Sequence, residues 1–190
     1  MITPEQIKAL KDIPYKVFFV ALPLEVNQAH VIPQIIYTGI GKMRAASSFE
    51  EWISQTDAIT RNKSTIINVG TAGSAKHPIG EMFIVDTFNN GGSDLVVESI
   101  EHGDTGISCY SSDFFVSTQT FSEEFVEELK QDNDFFDMEA FALAKGAKTL
   151  NIKMISVKIV SDNLDGTIRD WSETVNSLSP VLEDFINQIA

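Results

Sequence analysis

The sequence predicts an α/β fold with a largely parallel or mixed sheet, on three observations. Short β-branched and aromatic apolar runs alternate with longer amphipathic stretches. No repeat, low-complexity tract or linker interrupts that alternation. Of the 190 residues 43% are hydrophobic, and the 11 Gly bring the apolar share to about half, the ordinary value for one packed domain over residues 1–190. A chain of this length buries roughly 70% of its unfolded surface, so it needs no disulfide or metal to hold a core.

Residues 16–21 (KVFFVA) read as a buried strand, ended by Pro23. Residues 31–38 (VIPQIIYT) are a second strand, with Pro33 confining its start to an edge or bulge. Gly39, Ile40 and Gly41 turn the chain into a helix over 42–55, where Ala45, Ala46, Phe49, Trp52 and Ile53 recur at helical spacing. Residues 64–69 (STIINV) are another buried strand, followed by GTAG at 70–73. Residues 81–87 (EMFIVDT) and 95–99 read as strands on either side of a turn at Asn89, Asn90, Gly91 and Gly92, and 106–110 as a short strand. A Thr/Ser cap followed by two glutamates starts a helix over 121–132. Residues 138–150 are helical by content and period, 153–160 (KMISVKIV) a strand, and 161–166 a loop. A closing helix spans 171–189, with a break expected near Pro180.

Charge narrows the partners. Fourteen Lys+Arg against 27 Asp+Glu leave a net charge of −13, a surface that repels phosphate backbones and anionic lipid. Neither nucleic acid nor a membrane is expected. The start, MITPEQIKALKD, lacks the basic and apolar pattern of a signal peptide, and the apolar run at 17–24 is too short for a span of ~20 residues. The single cysteine, Cys109, cannot form an internal disulfide; it reads as a small buried hydrophobe in a reducing compartment, so a cytoplasmic location is expected. His30, His77 and His102 lie far apart with no ligand spacing, and no metal or other cofactor is expected.

In α/β sheets ligands bind beyond the carboxyl ends of the strands. Five polar features fall there: Glu25 after the first strand, Thr71 within GTAG, the SSDFF stretch at 111–115, Asp137 to Glu139 before a helix, and Ser161 and Asp162 after the last strand. Each alone also fits an ordinary turn or cap. Together they place carboxylates and an aromatic pair in one pocket without a basic cluster. Such a pocket suits a neutral or cationic ligand with hydroxyl groups and a flat ring.

The ordered set ALPLEV (21–26), YTGIGK (37–42), NVGTAG (68–73), SSDFF (111–115), FDMEA (136–140) and VSDNLD (160–165) resembles the nucleoside phosphorylase superfamily, and within it the methylthioadenosine/S-adenosylhomocysteine nucleosidases. The resemblance runs from about Val17 to the final helix. It implies a three-layer sandwich with a central mixed, largely parallel sheet flanked by helices. It also implies hydrolysis of the N-glycosidic bond of a purine nucleoside, such as methylthioadenosine or S-adenosylhomocysteine, by a homodimer.

By the same resemblance, Asp162 is the acid that protonates N7 of the purine, and Glu25 the carboxylate that orients or deprotonates the attacking water. Glu139 accepts hydrogen bonds from ribose hydroxyls and Met138 packs on the sugar. Phe115 and Val116 border the purine. Thr71, Ala72 and Gly73 line the nucleophile side, and Ser161 and Lys158 complete the substrate-binding set. A phosphorylase holds its phosphate with arginine and glycine at the first loop, whereas here that loop is Leu22, Pro23, Leu24 and Glu25. A carboxylate at 4 Å repels phosphate by about 1 kcal/mol even in bulk water. Arg44 falls on an amphipathic helix and reads as solvated. Lys158 stands where close relatives carry arginine, and the segment between GTAG and SSDFF is shorter than in the family. Two alternatives stay open: a phosphate-dependent purine nucleoside phosphorylase, and a family member that binds a nucleoside without turning it over.

Overall fold

The computed structural model describes residues 1–31, 33–92, 98–165 and 168–190. The chain opens on helix α1 (Pro4–Lys11), which the sequence reading does not include although its start signal is present. Thr3 and Gln6 form a reciprocal capping box around Pro4. Strand β1 (Lys16–Val20) leads to a 3₁₀ turn, Gln28–His30, and then to β2 (Ile35–Tyr37), shorter at both ends than the strand expected over 31–38. Helix α2 (Lys42–Gln55) follows, then a second unexpected helix, α3 (Ala58–Lys63), capped by the Asp57 carboxylate on the N–H groups of Ile59 and Thr60.

Strand β3 (Thr65–Gly73) is buried along all nine residues, so GTAG is its last segment and not a turn. The strand expected over 81–87 is two strands, β4 (Met82–Val85) and β5 (Thr87–Asn90), divided at Asp86, where the chain passes from one part of the sheet to the other. Asn89 and Asn90 therefore belong to β5 and not to a turn. Of the strand expected over 95–99, residues 95–97 lie outside the described residues, and β6 (Ser99–Glu101) pairs antiparallel with β5. Next come β7 (Ser108–Ser111), α4 (Glu123–Asp132) and β8 (Phe135–Asp137), the last absent from the sequence reading. Helix α5 (Ala140–Thr149) begins two residues later than expected, which leaves Met138 and Glu139 ahead of it. Strand β9 (Lys153–Asp162) takes in Ser161 and Asp162, expected in a loop. Helix α6 (Ile168–Ile189) runs through Pro180 without a break. Leu178 before the proline and Leu182, Phe185, Ile186 and Ile189 after it bury in one cluster, while Pro180 itself stays on the exposed side. That shared burial outweighs the proline's lost hydrogen bond.

One sheet results, mixed and mostly parallel. β2, β1, β3 and β9 run parallel in that order, with β4 antiparallel on β9. At its end β3 also meets β8 in antiparallel fashion, Gly73 opposite Phe136, and from β8 the sheet continues in parallel to β7 and β5. Helices α2 and α5 cover one face, over a core that includes Phe19, Ile66, Met154 and Val160; α1 and α6 cover the other, over Phe18, Ile67, Val69 and Ile159. Neighbouring strand residues thus alternate between two buried faces, which is why these strands read as unbroken apolar runs.

The α2–α5 contact leaves no spare volume: a Cβ at Gly146 would lie 2.6 Å from the buried Phe49 ring. Ala is worth up to about 1 kcal/mol over Gly in a helix, but overpacking this contact costs about 1–3 kcal/mol. Gly146→Ala is therefore expected to lower stability in urea denaturation; an unchanged or raised midpoint would contradict this packing.

Candidate active site

The carboxyl ends of β1, β3, β9, β7 and β8 converge on a cavity of about 290 Å³. This is where the two parts of the sheet meet. Ala21, Leu22 and Glu25 come from the segment after β1, Thr71, Ala72 and Gly73 from β3, and Asp162 and Leu164 from the end of β9 and beyond. Residues 113–116 follow β7, and Phe136 to Glu139 belong to β8 and the turn after it. Ile40 and Trp171 complete the lining, which is mainly apolar apart from its carboxylates.

Glu25 is 3% exposed and tied to β3. Its Oε1 accepts both the backbone N–H and the hydroxyl of Thr71, each at 2.7 Å, and its Oε2 accepts the Leu22 N–H at 3.2 Å. Gly70 permits this approach, since a Cβ there would sit 3.1 Å from Oε1.

A bulge delivers Asp162. Ala72 pairs with Val160 but Gly73 pairs with Asp162, so Ser161 is the extra residue. The Ser161 hydroxyl donates to Asp162 Oδ2 at 2.9 Å and the Leu164 N–H to Oδ1 at 3.1 Å. Leu164 holds a left-handed φ of 66°, a conformation that costs a non-glycine residue about 1–2 kcal/mol. Gly73 is required beside it: a Cβ there would lie 2.4 Å from the Leu164 side chain and 2.8 Å from Asp162 Oδ1. Burial raises the carboxyl of Asp162 above its ordinary range, Asp165 adds to the rise, and the two hydrogen bonds offset part of it.

The third carboxylate group lies at the β8 turn. Glu139 is 8% exposed, and its Oε1 accepts the Gly41 N–H at 2.8 Å. Burial first, and the neighbouring Asp137 charge second, push its pKa up to about 8, against the pull of Lys158 and Gly41. Asp137 accepts from the Ser111 hydroxyl at 2.5 Å, from the Ala140 N–H at 3.0 Å and from Lys158 Nζ at 2.8 Å. Burial alone would lower the ammonium of Lys158, but the Asp137 charge outweighs it and raises the group above its usual range. Cys109 packs nearby, with its thiol pushed up by burial and then by the Asp137 charge.

Of the residues expected at the site, Glu25, Thr71, Ala72, Gly73, Phe115, Val116, Met138, Glu139 and Asp162 line the cavity. Two do not. Lys158 is 2% exposed and turned onto Asp137, which leaves its ammonium no open path to a ligand; Ser161 is 1% exposed and spends its hydroxyl on Asp162. Arg44 is exposed on α2, with its side chain over Gly39, as its amphipathic setting implied. Asp137 and Trp171 line the cavity although the sequence reading gave them no role. Both had a signal: Asp137 sits inside the FDMEA stretch, and Trp171 is one of two tryptophans, soon after the last strand's carboxyl end.

Breaking a buried ion pair by removing one partner costs about 3–5 kcal/mol, because the other charge stays buried. Lys158→Met should therefore destabilise the protein by about that amount in urea denaturation, and adding Asp137→Asn should restore most of it. A Lys158→Met protein within about 1 kcal/mol of wild type would contradict the pairing.

No protein-family model matches the sequence, and no curated protein sequence matches it. Solved structures do. The 5′-methylthioadenosine/S-adenosyl homocysteine nucleosidase of Helicobacter pylori superposes with a TM-score of 0.73 at 15% identity, over 93% of this chain and 97% of that one. The MTA/SAH nucleosidase of Streptococcus pneumoniae, in complex with 8-aminoadenine, gives 0.72 at 17% identity, over 92% and 98%. The futalosine hydrolase of Helicobacter pylori gives 0.74 at 14% identity, over 93% and 97%. The likeness is one of architecture, carried by almost the whole chain: this protein shares the fold of the MTA/SAH nucleosidases.

Proposed function

We propose that the protein is a nucleosidase, a single nucleoside phosphorylase-like domain that hydrolyses the N-glycosidic bond of a purine nucleoside. A 5′-modified adenosine such as methylthioadenosine or S-adenosylhomocysteine is the proposed substrate. The observation that carries this reading is the pairing of two buried carboxylates, Glu25 and Asp162, in one mainly apolar cavity whose described lining holds no lysine or arginine. Support also comes from the neighbours of the same fold, among them the pneumococcal nucleosidase with 8-aminoadenine.

The chemistry follows from the carboxylates. Burial shifts Asp162 toward its protonated form, and it is in that form that it donates to N7 of the purine. The electron pair of the C1′–N9 bond then leaves with the base, and positive charge develops on the sugar. Glu139 accepts the ribose hydroxyls, and the positive charge on the sugar draws its raised carboxyl toward the negative form that favours that charge. Water adds to C1′ and passes a proton to Glu25, giving free base and free sugar. Phe115 walls the purine, the backbone at Val116 bonds it, and Met138 packs on the sugar. Thr71, Ala72 and Gly73 border the water. Water is preferred to phosphate because a phosphate anion here would face Glu25 with no cation in the described lining to hold it.

A homodimer is part of the proposal. Ile40 and Phe114 line the cavity yet are 43% and 64% exposed, and Met43, in the first turn of α2, is 83% exposed. A cytoplasmic location belongs to it too, supported by the single buried thiol at Cys109.

Mixing the protein with methylthioadenosine should release adenine at the same rate with and without phosphate. Asp162→Asn should slow release by about two orders of magnitude or more with folding intact, and the wild-type rate should fall as pH rises through the raised pKa of Asp162. Failure to release base from any of a panel of purine nucleosides would overturn the reading, as would strict dependence on phosphate. Sedimentation should give twice the chain mass at micromolar concentration; the mass of one chain at every concentration would exclude the dimer.

A further inference from the structure

We propose that Trp171 is a positioning residue that fixes the direction of the Thr71 hydroxyl toward Glu25. The indole Nε1–H donates to Thr71 Oγ1 at 3.3 Å, and that same oxygen lies 2.7 Å from Glu25 Oε1. A threonine hydroxyl has one hydrogen and two lone pairs, while an indole nitrogen only donates. With Trp171 occupying a lone pair, the single hydrogen is directed to the carboxylate. Without the indole, the hydroxyl is free to turn and donate elsewhere in the cavity.

The placement is rigid at both ends. Thr71 is 8% exposed in β3, and its own N–H also donates to Glu25 Oε1. Trp171 stands in the first turn of α6, whose later residues Leu178 and Leu182 are buried against the sheet core. The ring lines the cavity as well, so one side chain supplies both a wall and a donor. Phenylalanine would supply only the wall. Serial hydrogen bonds polarise one another, so the indole strengthens the Thr71 bond to Glu25.

This inference rests on Glu25 as the residue that activates water, and its test separates the two. Trp171→Phe should keep the denaturation midpoint and hold KM within about twofold, while kcat falls about five- to tenfold, the loss expected for one hydrogen bond felt in the transition state. The indole N–H resonance of Trp171, identified by its absence in Trp171→Phe, should shift in Thr71→Val and stay in place in Thr71→Ser. A Trp171→Phe enzyme with wild-type kcat overturns the inference, and so does an indole resonance indifferent to Thr71→Val. A wild type that releases no base from any nucleoside overturns the nucleosidase reading instead, and leaves the indole resonance to decide the Trp171–Thr71 bond.

Discussion

The Lys158–Asp137 ion pair is the constraint around which the site is built. Five carboxylate side chains border one small cavity, and four of them, Glu25, Asp137, Glu139 and Asp162, are each 8% exposed or less. Concentrating acids out of water is costly unless a cation or hydrogen bonds compensate. Lys158 supplies the one buried ammonium among the described residues and places it under the cavity, on Asp137, and not in it. The pair also joins the two parts of the sheet, because Lys158 lies on β9 and Asp137 on β8. Glu139, whose carboxylate accepts only the Gly41 N–H among the described residues, carries the raised pKa that follows.

The backbone delivers the other groups by close approach. Gly70 and Gly73 leave room for the carboxylates of Glu25 and Asp162 against β3, and the extra residue at Ser161 turns Asp162 into line with Gly73. The left-handed Leu164 donates its N–H to Asp162 and fills the space above Gly73. A strained leucine persists because its side chain is buried with Val116, Val126 and Phe136. Sheet, bulge and strain thus act on one carboxyl group.

Much of this was legible in the sequence. Unbroken apolar runs announced β1, β3 and β9 because both faces of the sheet are covered, and the rule that ligands bind at strand carboxyl ends led to Glu25, Thr71, Glu139 and Asp162. What escaped depended on partners distant in the chain. Nothing local in 81–87 marks Asp86 as a crossing between two parts of the sheet, since β-branched residues, Val85 and Thr87, stand on either side of it. Lys158 was expected to reach the ligand; its orientation is decided by Asp137, 21 positions earlier. The three-residue β8 is too short for periodicity to register. Pro180 signalled a break that the buried face of α6 overrides. Helix α1, by contrast, carried its full capping box, a readable signal in a stretch whose polarity suggested nothing more.

A cavity rich in carboxylates, with its cation held beneath the floor, suits water as nucleophile and a leaving group that departs by accepting a proton. The most direct test is the source of the oxygen that ends on C1′. The protein is incubated with methylthioadenosine and phosphate in water labelled with heavy oxygen, and the sugar product is weighed by mass spectrometry. Hydrolysis predicts free sugar carrying one labelled oxygen; a sugar 1-phosphate without the label would contradict it.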